Sequence, residues 1–175
     1  MIRENIILQY VKDKNVLDVG SVGQAQKYML YNLMKNLAKS LTGIDIESTS
    51  NKDDILNGNM ESYSFRKQFD VIIAGDVLEH VDNQGLFLDN IRKHLKKDGV
   101  LLITTPNAKW FTVILKPNKT HTLWHDKHTL FNILHKHGFT VEHFIYYYGN
   151  KPYYGFFKRI LAFRQSLLVV AKKSI

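Results

Sequence analysis

The sequence predicts an α/β fold built on a mostly parallel sheet. Short apolar runs of strand length alternate with longer segments in which apolar residues recur at helical spacing, and this alternation is typical of repeated β-α units. The chain has 175 residues, of which 45% are hydrophobic, enough for one domain with a substantial core. We therefore expect a single domain over residues 1–175.

Six runs are predicted as strands, each rich in β-branched or aromatic residues. In chain order they are NVLDVG (15–20), LTGIDI (41–46), FDVIIAGD (69–76), GVLLITTP (99–106), FTVEHFIYYY (139–148) and SLLVVAKK (166–173). One more strand, third in chain order, is predicted only weakly, because DIL at 54–56 is the only short apolar run between residues 48 and 68. The run FDVIIAGD is then the fourth strand.

Three helices are predicted between these strands. The first covers 26–40, where five apolar residues recur at helical spacing: Met29, Leu30, Leu33, Met34 and Leu37. The second covers 83–98, with lysines in its last turn and Gly99 just past its end. The third covers 127–137, and Asp126 is placed to cap it.

Composition limits the cellular setting and the partners. The chain has no cysteine, so disulfides and thiolate metal sites are excluded and we expect a cytoplasmic protein. Its N-terminal region carries too many charges for a secretory signal, and no stretch reaches the roughly 18 apolar residues of a membrane span. A net charge of +8 favours anionic partners such as nucleic acid, phosphorylated metabolites or a lipid surface.

The turn after the first strand reads Asp18-Val19-Gly20-Ser21-Val22-Gly23. A glycine turn that enters a helix presents backbone N–H groups and a positive helix end to a ligand. The turn lacks the G-x-G-x-x-G pattern of diphosphate cradles, and its acid would repel a pyrophosphate, which argues against an NAD-dependent oxidoreductase. A carboxylate instead suits an ammonium group, such as the methionine end of S-adenosylmethionine. Asp45 ends the second strand, where a carboxylate can accept both ribose hydroxyls of a nucleoside.

With these residues the sequence resembles the class I S-adenosylmethionine-dependent methyltransferases, of the small single-domain kind. VLDVGSVG is similar to their first motif, LTGIDIE to the segment after it, FDVIIAGDVLEHV to the second motif and LKKDGVLLITTPN to the third. The resemblance covers residues 15–138 and implies a doubly wound, Rossmann-like sheet of seven strands, one of them antiparallel. It departs at Val22 and Gln24, where the family's first motif usually has glycines.

The resemblance implies S-adenosylmethionine as cofactor and S-adenosylhomocysteine as product. Asp18 would lie near the methionine amino group, Asp45 at the ribose with Glu47 as second candidate, and Asn59 and Met60 beside the adenine. The implied cofactor-binding set is Asp18, Gly20, Ser21, Gly23, Asp45, Ile46, Asn59, Met60, Gly75 and Asp76. The structural alternatives are that Asp18 bonds only its own turn and that the NGN sequence at 57–59 is only a turn.

Two histidines are candidate general bases. His80 follows the fourth strand, and an imidazole is the side chain best suited to proton transfer near neutral pH. His121 lies in an H-x-x-W segment that resembles the family's cover over the acceptor pocket. Either could instead be a structural surface histidine. The run His121, His125 and His128 suggests zinc, but without cysteine and with only Asp126 nearby we expect no metal site.

The expected reaction is methyl transfer to a small-molecule or glycan acceptor at oxygen. The alternative is a binding or scaffold subunit that holds a nucleoside without turnover. The segment 151–173 mixes aromatics with basic residues, among them Lys151, Lys158, Arg159 and Arg164. It could contact an anionic membrane or acceptor, or simply form a last helix and strand. Nucleic acid is disfavoured, because no RNA-binding module accompanies this segment, and the oligomeric state stays open.

Overall fold

The computed structural model describes residues 2–22, 29–47, 55–147 and 165–174. The helices found there are Ile2–Val11 (α1), Met29–Leu37 (α2), Gln84–His94 (α3), Phe111–Leu115 (α4) and Lys127–Lys136 (α5). The strands are Asn15–Val19 (β1), Ser40–Asp45 (β2), Ile55–Asn57 (β3), Phe69–Gly75 (β4), Leu95–Pro106 (β5), Phe139–Tyr147 (β6) and Ser166–Lys173 (β7).

The strands form one sheet in the order β3-β2-β1-β4-β5-β7-β6. β7 pairs antiparallel with β5 and with β6, and the remaining pairs are parallel. This confirms the predicted doubly wound, seven-stranded sheet with one antiparallel strand. The strand order reverses between β1 and β4, and in open α/β sheets ligands bind beyond the carboxyl ends of the strands at such a point.

Successive residues of each strand point to opposite faces of the sheet. Helices cover both faces, so the side chains on each face are buried. Leu17 of β1 packs in a buried cluster that contains Phe87 of α3. Its neighbour Val16 packs in a second buried cluster with Ile7 of α1. The two clusters hold the strands from both sides, so that their carboxyl ends present a fixed edge.

The predicted end of the second helix is wrong. α3 ends at His94, and residues 95–98 belong to β5. Leu95 pairs with Phe69 of β4, and the Nζ of Lys96 donates to Asp70 at 2.7 Å. Residues 95–98 therefore belong to the strand that pairs with β4 and do not continue the helix, as their lysines had suggested they would.

Of the remaining predictions, one is confirmed, two helices were missed, and several residues cannot be compared. The weak third strand is confirmed as the three-residue β3, which pairs with β2. α1 and α4 were not predicted. Gly23, Gln24 and the four basic residues of 151–164 lie outside the described residues. No helix in the described ranges is both long enough and apolar enough to cross a bilayer.

Candidate active site

Asp18 lies at the reversal point of the sheet and is buried, with 2% of its surface exposed. Its backbone pairs with Gly43 of β2 on one side and Ile73 of β4 on the other. Burial raises the pKa of Asp18 to about 7, opposed by a hydrogen bond from Ser21 and by the charge of Arg3. A positively charged ligand beside this buried carboxyl would favour its ionised form.

The turn after β1 depends on Gly20, which has φ +77°. Its N–H donates to the carbonyl of Ile44 at 2.9 Å, which ties the end of β1 to β2. A Cβ built at this position would collide with the side chain of Val77. Ser21 follows, fully buried, and its hydroxyl donates to the Asp18 carbonyl at 2.9 Å. The turn therefore needs glycine for conformation and for space.

Asp45 closes the same corner of the site from the end of β2. Its Oδ2 accepts from the backbone N–H of Val22 at 2.7 Å, and its Oδ1 accepts from that of Glu47 at 3.0 Å. The residue is 8% exposed, whereas its neighbour Ile46 is 72% exposed. Each carboxylate oxygen has two acceptor positions, so Asp45 keeps capacity for ligand hydroxyls while it anchors both loops.

Asn59 and Met60 are accounted for without a ligand. The Oδ1 of Asn59 accepts from the N–H of Glu61 at 2.8 Å, and its carbonyl accepts from Tyr63 at 2.8 Å, so the segment is a side-chain-capped turn. Met60 is 4% exposed and belongs to the buried cluster around α3. Their proposed position beside an adenine stays a prediction.

Asp76 follows β4 in the left-handed conformation, with φ 57°. Its N–H donates to the carbonyl of Thr104 at 2.9 Å, and its Oδ1 accepts from the Thr104 hydroxyl at 3.2 Å. Its other oxygen pairs with Nη1 of Arg3 at 3.0 Å. A Cβ at Gly75 would collide with the same guanidinium. Arg3 was not predicted in this site, and a single arginine in a helix the sequence did not reveal gave no signal.

Glu79, His80 and His121 form a cluster just beyond Asp76. One possible ligand atom from each lies within 4.8 Å of the other two. The rings of His80 and His121 meet edge to face, with centroids 4.6 Å apart. Thr122 donates to the Glu79 carbonyl through its backbone N–H at 2.8 Å, which holds the segment of His121 against the loop after β4.

The protonation of this cluster follows from its burial. Burial, reinforced by the charge of Asp76, raises the pKa of Glu79 to about 8. The Oε2 of Glu79 accepts from the buried Thr105 hydroxyl at 3.0 Å. Burial and the neighbouring His80 lower the pKa of His121. At neutral pH the cluster therefore holds a neutral imidazole able to accept a proton beside a mostly protonated acid.

The two predicted candidate bases are thus neighbours, whereas the histidine-rich segment itself is divided. The Nε2 of His125 hydrogen-bonds the Oε1 of Gln84 at 2.9 Å, and the ring is buried, which makes it structural. His128 is exposed. Glu79 is the functional candidate that sequence analysis missed, because its contact with His121 crosses about forty residues and no local spacing encodes it.

Comparisons with known proteins bear on the family and the fold of the chain. A family model described as a methyltransferase domain matches residues 6–144. A ubiquinone biosynthesis O-methyltransferase of Glaesserella parasuis is 31% identical over 135 residues, 62% of this chain and 56% of the relative. One of Pelagibacter ubique is 29% identical over 126 residues, 61% of this chain and 51% of the relative.

Among solved structures, a SAM-dependent methyltransferase from Archaeoglobus fulgidus superimposes with a TM-score of 0.77 at 20% identity, covering 98% of this chain and 92% of the other. At this identity the likeness concerns the fold. The matches cover from 19% to 56% of the length of the curated relatives, so the chain spans about half of such a protein or less.

Proposed function

We propose, since this chain belongs to the methyltransferase domain family, that it transfers the methyl group of S-adenosylmethionine to an oxygen of a small-molecule acceptor. The observation that carries the proposal is the convergence of Asp18, the Gly20 turn and Asp45 at the reversal point of the sheet, with two histidines beyond the end of β4. The O-methyltransferase names of the curated relatives support oxygen as the accepting atom.

The residues present fit this cofactor. Asp18 offers a buried carboxyl whose pKa is raised to about 7. The ammonium group of the cofactor would stabilise the ionised form of this carboxyl. Gly20 keeps the turn free of a side chain that would fill it. Asp45 retains acceptor capacity for two hydroxyls. When bound, the cofactor supplies an activated methyl group on a sulfonium sulfur.

The protein's own contribution is mainly positioning, with one proton to remove. Asp18, the Gly20 turn and Asp45 would hold the cofactor, whose chemistry there would be transfer of its methyl group from sulfur to the acceptor oxygen. The hydroxyl proton of the acceptor must then go to a base. The Nδ1 of His80 lies 3.1 Å from the Thr120 carbonyl, so it carries the proton of the neutral ring and leaves Nε2 as the basic atom. His121, with its lowered pKa, is the second acceptor for the proton.

The acceptor is expected to be small and partly apolar. His80 is exposed, so an acceptor can reach it from solvent. The ring of Trp124 packs beside His121 at 6.0 Å between centroids, and Leu123 next to it is 46% exposed. Such apolar surface suits a ring system better than a heavily hydroxylated glycan, which is the other acceptor class to include in a screen.

Calorimetric titration with S-adenosylmethionine and S-adenosylhomocysteine tests the proposal without knowledge of the acceptor. We expect micromolar binding, weakened about 10- to 100-fold by Asp45→Asn, since a hydrogen bond to a charged group contributes about 1.5 to 3 kcal/mol. Glu47→Gln is the matched comparison, because it removes the same charge two residues away, and a larger loss in it than in Asp45→Asn would assign the ribose contact to Glu47.

The 2′-deoxy analogue of S-adenosylhomocysteine separates ribose contact from loop anchoring. If Asp45 accepts ribose hydroxyls, Asp45→Asn costs less affinity for the deoxy ligand than for the parent. An equal loss for both ligands assigns Asp45 to the loops alone. Absence of binding at millimolar cofactor rejects the function. Tight binding without turnover across an acceptor screen supports the scaffold alternative.

A further inference from the structure

We infer that Glu79, His80 and His121 form a binding site for one divalent transition-metal ion at the acceptor side of the proposed active site. This inference rests on the proposed function only for the role of the ion, not for its binding. It replaces the expectation of no metal site, which considered His121 with His125 and His128 and overlooked Glu79.

The donor set has the composition of an open metal site. Two imidazole nitrogens and one carboxylate suit ions such as Zn²⁺, Mn²⁺ and Fe²⁺, and three protein ligands leave at least one position for an exogenous oxygen. Ligand atoms bound tetrahedrally at about 2.1 Å are about 3.4 Å apart. Since the three atoms already lie within 4.8 Å of one another, side-chain movements of up to about 1 Å would complete the coordination.

Among the described residues, one buried nitrogen in the cluster has no hydrogen-bond partner, and a buried carboxyl lies close to it. The Nδ1 of His121 is buried with no hydrogen-bond partner, an arrangement that ordinarily costs free energy. Glu79 is 1% exposed, and a carboxylate buried to this degree is ordinarily paired with a cation or coordinated to a metal. Arg3 is the nearby cation, and its Nη1 is paired with Asp76.

Neighbouring residues already orient the three side chains as ligands. Metal-bound histidines usually donate their second ring N–H to a carbonyl, and the Nδ1 of His80 meets the Thr120 carbonyl at 3.1 Å. The Oε2 of Glu79 accepts from Thr105, which fixes the carboxyl group. The edge-to-face contact of the two rings holds His121 close to His80. A contact between the two histidine rings alone would not explain the buried Glu79 carboxyl or the hydrogen bonds that fix it and His80.

The ion would bind the acceptor oxygen at its open position and lower the pKa of that hydroxyl. The proton would leave to water before methyl transfer. With the ion bound, the histidines would act as ligands, in place of the role as bases proposed above for the ion-free protein. Because His80 is exposed, the open position is reachable from the side on which the acceptor is expected.

The test is binding of Mn²⁺ and Zn²⁺ to the full chain after treatment with EDTA and dialysis. Calorimetry gives the affinity and the number of ions, and the loss of the free Mn²⁺ electron paramagnetic resonance signal gives an independent count. We expect one ion per chain with a dissociation constant in the micromolar range. His80→Ala, at an exposed position, should weaken binding at least tenfold, as should Glu79→Gln. His128→Ala is the matched control, and it should bind as the wild type does.

Thr105→Val tests the arrangement more finely, because loss of an outer hydrogen bond to a ligand weakens metal binding about 10- to 100-fold. Failure of the wild type to bind either ion at 1 mM overturns the site, as does equal binding by wild type and His80→Ala. Titration of the EDTA-treated protein with S-adenosylhomocysteine keeps the two proposals separate. Metal binding without nucleoside binding rejects only the proposed function, and the reverse result rejects only the metal site.

Discussion

Replacing Asp18 with asparagine should stabilise the ligand-free protein at pH 8 and yet weaken its binding of S-adenosylmethionine. Burial raises the pKa of this carboxyl from 3.8 to about 7. In the unfolded chain the group loses its proton above about pH 4, whereas in the folded protein it keeps the proton until about pH 7. The folded state therefore binds more protons between these values, and the free energy of unfolding falls as pH rises through this window.

The magnitude follows from the shift. A difference of about three pKa units corresponds to about 4 kcal/mol at 1.36 kcal/mol for each unit. Water entry and local relaxation reduce this figure, so we expect Asp18→Asn to gain about 2 to 4 kcal/mol over the wild type at pH 8. At pH 4 the wild-type carboxyl is protonated in the folded state and about half protonated in the unfolded state, so the two proteins should differ by well under about 1 kcal/mol. Glu79, with a pKa raised to about 8, gives the wild type a similar slope that the variant keeps.

Urea unfolding of wild type and Asp18→Asn at pH 4, 6 and 8 measures the difference directly. Asp82→Asn, at an exposed position, is the control for loss of one negative charge. Cofactor titrations over the same pH range should show wild-type affinity rising as Asp18 ionises and a flat, weaker affinity in the variant. A difference in stability between the two proteins that does not change with pH would refute the assignment of a buried, protonated Asp18.

Two further substitutions test local structure around the site. Gly20→Ala should cost about 1 to 3 kcal/mol, because alanine is strained at φ +77° and meets Val77, so the melting temperature falls by about 2 to 12 °C. The addition of Val77→Ala should restore only part of the loss, and full restoration would contradict the backbone strain. Asp126→Ala should cost about 1 to 2 kcal/mol at pH 7 in urea unfolding, since Asp126 caps α5 through the Thr129 N–H at 2.9 Å and pairs with Lys109 at 2.7 Å. These contacts lower the pKa of Asp126, so the loss should shrink below pH 4, and Asp126→Asn, which keeps the cap, should lose less than the alanine variant.

The sheet was predictable from sequence because its central strands are buried on both faces. Strands of this kind appear as continuous apolar runs, and those of β1 and β4 were found within one or two residues of their observed limits. α1 escaped prediction because the apolar residues of IRENIILQYV are not confined to one face of the helix. The limit of α3 failed because the Lys96 contact with Asp70 is tertiary, and helix-end rules do not contain it.

The candidate site was also predictable only in part, for the same reason. Asp18 and Asp45 could be placed because they end predicted strands, and the carboxyl ends of parallel strands share one edge. Their partners were less accessible. Arg3 reaches Asp76 from α1, and His121 reaches Glu79 through a long connection. Both contacts depend on three-dimensional packing, so only a structure could bring them to notice.

β7 completes the sheet between β5 and β6, although it comes last of the seven strands along the chain. During synthesis β5 therefore emerges with one edge unpaired, and about sixty residues must follow before β7 can cover it. At about 5 to 20 residues per second this takes roughly 3 to 12 s. An open strand edge can pair with another nascent chain. The yield of native protein in the cell should thus depend in part on what shields the β5 edge on the ribosome.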